Sequence, residues 1–258
     1  MGADLVMKKL EALEQAIGEK DKFILAFSGG LDSAFLAAYL KKLGKDFIAV
    51  TIDNGMLPDP GYIKEEAGRL GLEHKVIEVD LFRDKVFSEN TEERCYLCKK
   101  EIIKALNAFK KEVGYDHVID ASNLSDLKDY RAGIIALHEE SIMTPLFDAE
   151  IEKEDIVRYA KEFNIDSRMP QSCLATRVPI HERIRKPVIE RIRTVENEIS
   201  KLGLSLVRAK AHDRLLRIQV LDSEMDLALE NKDKINKVAK DAGFAYVTID
   251  LEPYELKK

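Results

Sequence analysis

Cysteine is scarce, long apolar runs are missing and there is no basic excess, and each shortage excludes a class of protein. Three cysteines in 258 residues form an odd set with no secretion signal beside them, so a disulfide framework is not expected. No apolar run approaches the roughly 20 residues that a membrane-spanning helix needs. The opening stretch MGADLVMKKLEALEQ is patterned as an amphipathic helix. It has neither a signal-type apolar core nor a small-residue cleavage site, so a soluble cytoplasmic protein is expected. The formal net charge is −6, which argues against indiscriminate nucleic-acid binding, since that needs many phosphate-neutralising cations. Internal repeats and low-complexity segments are also missing.

What is present is a core-forming, alternating chain. Apolar residues make up 45% of it, which at this length suits one large domain, or one domain with a small appendage. FILAF (23–27), FIAVTID (47–53), HKVIEVD (74–80) and HVIDAS (117–122) read as short strands. Helical patterns lie between them: LDSAFLAAYLKKLG closed by Gly44, YIKEEAGRLG after Pro58 and Pro60, and a long one over 97–113, with a shorter helix after Tyr130. Such alternation predicts an α/β fold with a doubly wound parallel sheet, whose ligand sites lie beyond the carboxyl ends of the strands. Around 168–187 the pattern fails, punctuated by Pro170, Pro179 and Pro187. A helix over 188–202, strands LVRAKAH and LLRIQVL, a helix over about 223–242 and a last strand FAYVTIDL then follow. That order is most of a split βαβ sandwich. The expected organisation is a nucleotide-binding domain over 1–170 and a small α+β domain over 171–258.

The run Ser28-Gly29-Gly30-Leu31-Asp32-Ser33 sits between the first strand and its helix. Paired glycines let backbone N–H groups approach an anion closely, and the helix start adds its positive dipole end. Ser28 and Ser33 add hydroxyl donors. Asp32 is a poor neighbour for phosphate unless a divalent cation bridges the two, so Mg²⁺ is implied. The loop matches neither GxxxxGK[ST] nor GxGxxG. Asp53 ends the second strand, and the polar run SNLSDLKDYRAG (122–133), with Asn123 and Arg131, follows the fourth. Both are placed to face a nucleotide, although Asp53 could equally be a turn former.

Cys95 and Cys98 are spaced three apart at the start of a predicted helix, and Cys173 is distant. A structural zinc site wants four ligands, so zinc would need a histidine such as His181 or an open position. A four-iron cluster can be held by three thiolates with one iron open. Three inert thiols, or a reactive thiol without a cluster, remain alternatives. Arg177 to Arg217 holds eleven Lys and Arg residues. This is either a surface for a phosphorylated ligand or a salt-bridged exposed face.

The SGGLDS run in its strand–loop–helix setting resembles the PP-loop ATP pyrophosphatase family, with a HUP-like sheet, whose signature is SGGxDS. That resemblance implies cleavage of ATP between the α and β phosphates and AMP left on the substrate. Ser28, Gly29, Gly30, Asp32, Ser33, Asp53, Asn123 and Arg131 are the residues it assigns to ATP. RCYLCK (94–99), DLKDYRAG (126–133), TPLFDAEIEKEDIVRYAKEFNI (144–165), SCLATRVP (172–179) and LGLSLVRAKAHDRLLRIQV (202–220) are similar to the LarE family. These sulfur transferases build the nickel-pincer nucleotide cofactor of lactate racemase. The family pattern usually has DYRPG, where Ala132 stands here.

The LarE resemblance implies that ATP activates a carboxylate of pyridinium-3,5-biscarboxylic acid mononucleotide as an acyl-adenylate, and that a sulfur nucleophile then displaces AMP. In one branch the position of Cys173 gives up its own sulfur. In the three-cysteine branch, which Cys95, Cys98 and Cys173 fit, the cysteines carry a 4Fe-4S cluster that presents sulfide. Asp32 and Cys173 are the implied catalytic residues. Arg177, Arg208 and Lys210, with Glu196 holding a cation or orienting an arginine, are implied at the substrate phosphate. ATP, Mg²⁺ and the 4Fe-4S cluster are the implied cofactors, a sulfide donor the implied partner, and a homo-oligomer the implied assembly. A PP-loop transfer-RNA thiolase has the same activation chemistry and stands as the alternative, against which the negative charge and the lack of paired zinc-ribbon cysteines count.

Overall fold

A four-residue strand, β1 (Phe23–Ala26), is the axis of the first sheet. β2 (Phe47–Asp53) and β4 (His117–Ile119) flank it, and β3 (His74–Glu78) lies beyond β2, giving the order β3-β2-β1-β4 with every pair parallel. The molecule is described by a computed structural model covering residues 2–129, 131–165 and 171–255, with the side chains of 2–7, 128, 129 and 131 outside the described set. It divides into two units. The first comprises residues up to 54, 59–79 and 95–170, and the second comprises 55–58, 80–94 and 171 onward.

In the first unit the doubly wound parallel sheet expected from the alternation is present. Helices α1 (Gly2–Ile17), α2 (Leu31–Lys42), α3 (Pro60–Arg69), α5 (Arg94–Val113), α6 (Asp126–Asp129), α7 (Arg131–Glu139), α8 (Pro145–Asp148) and α9 (Lys153–Glu162) surround it, and α4 (Lys85–Ser88) belongs to the second unit. Ile24, Val50 and Val118 face α5 and α7 through Ile103, Leu106, Ala136 and Leu137. On the other side Phe35 of α2 stacks on Tyr159 of α9 with ring centroids 5.3 Å apart. Burying both faces is why β1 and the middle of β2 are continuously buried rather than alternating, whereas β3 at the edge, HKVIE, is polar and only partly covered.

The chain winds outward from β1 through β2 to β3, then returns to β4 on the opposite side of β1. The carboxyl ends of β1 and β4 therefore bound a topological switch point, the usual ligand crevice of such sheets. β4 is shorter than HVIDAS suggested. The Asp120 carboxylate accepts the Ser122 N–H at 2.9 Å and its hydroxyl at 2.5 Å, a local turn that ends the strand.

The second unit is built on β5 (Arg208–His212), β6 (Leu215–Gln219) and β7 (Tyr246–Ile249), in that order. β5 and β6 are antiparallel, and β6 and β7 are parallel neighbours. β6 and β7 are hydrogen-bonded directly to each other, so among the described residues the unit is a plain βαβ rather than the split form. Alternation along β5 and β6 puts Ala209, Ala211, Leu216 and Ile218 inside, where Ile189, Ile192 and Val195 of α10 (Lys186–Ser200) are also buried. The helix expected over 223–242 is broken into α11 (Met225–Glu230) and α12 (Lys232–Asp241). Asn231 leaves helical geometry between them, and its amide donates to the Leu227 carbonyl at 2.9 Å, the kind of side-chain competition that favours caps over helix interiors. Among the described residues no helix is long and apolar enough to cross a membrane.

Candidate functional site

The loop between β1 and α2 is shaped by its glycines. Gly29 has φ +70, and a Cβ there would come within 3.0 Å of Ile63 Cγ1 and 3.1 Å of Ile63 Cα. Both the backbone conformation and the close approach of α3 therefore require glycine. Gly30 caps α2 in extended geometry. The Ser28 and Ser33 hydroxyls lie 3.2 Å apart, and Ser33 donates to the Gly30 carbonyl at 3.0 Å. The loop is thus ordered by its own side chains, with the N–H groups of the first turn of α2 available for an anion.

Asp32 lies in that turn and is held from two directions. Lys153 Nζ, at the first position of α9, reaches its Oδ1 at 2.5 Å, and the Asn123 amide reaches its Oδ2 at 3.4 Å. Asn123 is fully buried, accepts the Ser125 N–H and donates its own N–H to Asp126. The Lys153 backbone N–H donates to Ser125 Oγ at 3.0 Å. The segment after β4 and the start of α9 are thereby tied to the loop after β1, across the switch point. Burial pushes the Asp126 carboxyl up, and nearby Asp32 adds to that. Asp53, as the sequence placed it, closes β2 beside Glu78. Arg131 opens α7, and its side chain lies outside the described residues.

Cys95 and Cys98 lie in the first turns of α5, partly buried, and the buried Asn54 amide donates to Cys98 Sγ at 3.2 Å. Residues three apart share a helix face. Next to them Lys99 pairs with the buried Asp120 at 2.7 Å. Burial pushes that carboxyl up, but the charge and hydrogen bond of Lys99, with Ser122, hold it below the ordinary range. Cys173 belongs to the second unit and is exposed. His181, the alternative ligand, is exposed and sits 3.1 Å from Glu92. Among the described residues no three His, Cys, Asp or Glu side chains gather into a metal-holding group.

In the second unit Arg177 and Glu196 form a buried two-pronged pair, with Nε to Oε1 at 2.6 Å and Nη2 to Oε2 at 3.2 Å. Arg177 Nη1 donates to Ser172 Oγ at 2.7 Å and Thr176 Oγ1 at 2.8 Å, while Glu196 also accepts the Ala209 N–H at 2.8 Å. Arg177 is thus occupied by protein groups. Arg208 is different. It is 9% exposed, donates to the same Ser172 hydroxyl, and has no carboxylate partner among the described residues. Burial and the neighbouring Arg177 push its guanidinium down. Lys210 shares its sheet face, opposite Arg217, and burial followed by those two arginines lowers it as well. Arg217 is paired with Asp250 at 2.6 Å, so Arg208 and Lys210 are the cations of this face that suit an anion.

Several of these residues were not singled out from the sequence. Lys153 carries one usable signal, because a lysine opening a helix opposes the helix dipole and so asks for a reason. Ser172 lies inside the SCLATR run, and nothing local distinguishes Asn54, Lys99 or Asp120.

Family models give no match to the chain. It is 33% identical to an uncharacterized protein of Methanocaldococcus jannaschii over 96% of this chain and 98% of the relative. An uncharacterized protein of Synechocystis sp. is 30% identical over 98% of this chain and 97% of the relative. The pyridinium-3,5-bisthiocarboxylic acid mononucleotide synthase of Lactiplantibacillus plantarum is 28% identical over 96% of this chain and 92% of the relative. Partial matches extend to argininosuccinate synthase of Ligilactobacillus salivarius, over 57% of this chain and 40% of the relative. Another is the tRNA-specific 2-thiouridylase of Persephonella marina, over 55% and 51%.

Proposed function

The chain belongs to the LarE-type PP-loop sulfur transferases, ATP-using enzymes that adenylate what they thiolate, and from that premise we propose its substrate and the roles of its residues. The substrate is pyridinium-3,5-biscarboxylic acid mononucleotide, one carboxylate of which becomes a thiocarboxylate. The Ser28–Ser33 loop at the β1–β4 switch point, with Asp32 held between Lys153 and Asn123, carries the ATP activation, and the likeness over 96% of the chain to the pyridinium-3,5-bisthiocarboxylic acid mononucleotide synthase carries the substrate.

A free carboxylate is a poor electrophile. Its oxygen attacks the α-phosphorus of ATP, the bond to the bridging oxygen breaks, and pyrophosphate leaves. The loop N–H groups and the Ser28 and Ser33 hydroxyls cradle the departing phosphates. Asp32 suits Mg²⁺, an oxygen-seeking ion, and Lys153, which neutralises Asp32 here, is in reach to turn to the phosphates. A sulfur nucleophile then attacks the acyl carbon, and the carbon–oxygen bond to AMP breaks. In the second unit Arg208 and Lys210 receive the phosphate of the pyridinium nucleotide, while Arg177 and Glu196 act as the frame that positions them and Ser172.

For the sulfur source we favour a 4Fe-4S cluster on Cys95, Cys98 and Cys173. Soft thiolates are the right donors, Cys95 and Cys98 share a helix face, and the Asn54 N–H donated to Cys98 Sγ is a typical support for a ligating sulfur. When bound, such a cluster supplies an open iron for sulfide. The exposure of Cys173 favours a second reading, in which its thiolate attacks the acyl-adenylate itself. Loss of the Cys173 α-proton and cleavage of its Cβ–S bond then leave dehydroalanine and the thiocarboxylate.

Carboxylate-labelled ¹⁸O nucleotide tests the adenylation step. The label should appear in AMP, with pyrophosphate released only when nucleotide is present. AMP without label, or labelled RNA formed instead from bulk RNA and sulfide, overturns the assignment. Iron and sulfide in anaerobically prepared protein, against a Cys173 that has lost H₂S after turnover, separates the two sulfur sources.

A further inference from the structure

Arg208 is buried beside Ser172 with no carboxylate among the described residues, yet one side of its guanidinium is covered. The Tyr254 ring centroid lies 4.0 Å from Arg208 Cζ, close enough for a strong cation–π contact. Tyr254 comes from the stretch that follows β7, and that stretch is fixed to β6. The Asp250 N–H donates to the Ile218 carbonyl at 2.8 Å, Asp250 pairs with Arg217 at 2.6 Å, and the Tyr254 N–H donates to the Val220 carbonyl at 2.8 Å. The ring is therefore delivered to Arg208 by a backbone anchored independently of it.

A planar guanidinium with one face on an aromatic ring keeps its in-plane N–H groups for hydrogen bonding. The Ser172 hydroxyl takes up only one Arg208 nitrogen, so donors remain for a planar or tetrahedral oxyanion. The contrast with Arg177 is direct. Arg177 is neutralised by Glu196 and is a fixed part of the frame, whereas Arg208 is stabilised by a neutral ring that leaves its charge available.

We infer that Tyr254 is the positioning residue of the phosphate-binding site, holding the Arg208 guanidinium in the plane from which it receives the phosphate of the nucleotide substrate. This rests on the assignment of Arg208 to that phosphate under the proposed function. Two variants of the full chain test it, Tyr254→Leu, which removes the ring, and Tyr254→Phe, which keeps it. Binding of the pyridinium nucleotide is measured calorimetrically without ATP, and KM for nucleotide and for ATP is measured in turnover. Tyr254→Leu should weaken nucleotide binding and raise its KM by about fivefold to thirtyfold. KM for ATP should stay unchanged, and Tyr254→Phe should bind nucleotide within about twofold of the parent. Wild-type affinity in Tyr254→Leu overturns the inference and leaves the proposed function standing. So does an equal loss in both variants, or a parallel loss for ATP, since each reports something other than the ring on Arg208. A parent protein that does not bind the nucleotide removes the substrate assignment and this inference with it.

Discussion

Replacing Glu196 by leucine should be among the most damaging single changes in the second unit. Arg177 is 2% exposed and Glu196 7%, so the pair is held out of water. Removing the carboxylate leaves a buried guanidinium without its counterion, at a typical cost of about 3–5 kcal/mol. It also orphans the Ala209 N–H, which Glu196 accepts at 2.8 Å and which ties α10 to β5. An orphaned buried donor costs about 1–3 kcal/mol. The two losses share relaxation and do not add fully, so a combined loss of about 4–6 kcal/mol is expected. Arg177→Met in the Glu196→Leu background removes the stranded charge and should restore most of that loss. Urea unfolding of both variants at neutral pH, followed by far-ultraviolet circular dichroism, reads the difference. If Glu196→Leu alone does not fold, the double variant should. A loss below about 1 kcal/mol, or a double variant no more stable than Glu196→Leu, would refute the argument that this is a desolvated pair.

Lys153→Met should slow nucleotide-dependent pyrophosphate release at least about tenfold, the scale of losing one charged donor to a developing phosphate charge. An unchanged rate would show that Lys153 only neutralises Asp32. Gly29→Ala combines a left-handed backbone with a Cβ 3.1 Å from the Ile63 α-carbon, so the melting midpoint should fall by several degrees for the ~1–2 kcal/mol of strain. Ile63→Ala should not rescue it, because the clashing α-carbon stays; full rescue would locate the contact in the Ile63 side chain instead. Lys99→Met leaves Asp120 buried and charged without its partner. The stabilisation from a lowered carboxyl is present above the unfolded value of about 4 and is lost as pH falls through the folded value. The stability gap between Lys99→Met and the parent should therefore be largest near neutral pH and narrow in acid, and a gap that widens in acid contradicts the pairing.

The parallel sheet was legible because β1 and β2 are short apolar runs buried on both faces, set between helix-length segments with their own stop signals. β2 coincides with FIAVTID residue for residue. Polar competition at single residues was less legible: Asp120 ends β4 early by turning onto Ser122, and Asn231 breaks the helix expected over 223–242. The pairing of β7 directly with β6 is a long-range choice that the strand order along the chain leaves open. At the site, SGGLDS announces itself because glycine pairs and hydroxyls are needed at fixed offsets. Lys153 reaches Asp32 across 121 positions of sequence, and Tyr254 reaches Arg208 only through the return of the chain along β6. Such residues are placed by topology, and no local pattern marks them.

The central claim is that ATP activation here ends in sulfur on a carboxylate of a pyridinium nucleotide. Mass spectrometry of the nucleotide after incubation with the protein, Mg²⁺, ATP and sulfide under anaerobic conditions tests it most directly. The claim predicts a product in which sulfur replaces one carboxylate oxygen, formed together with AMP and pyrophosphate and lost in Asp32→Asn. Recovery of the nucleotide unchanged while ATP is split, or while RNA acquires the sulfur, would contradict it.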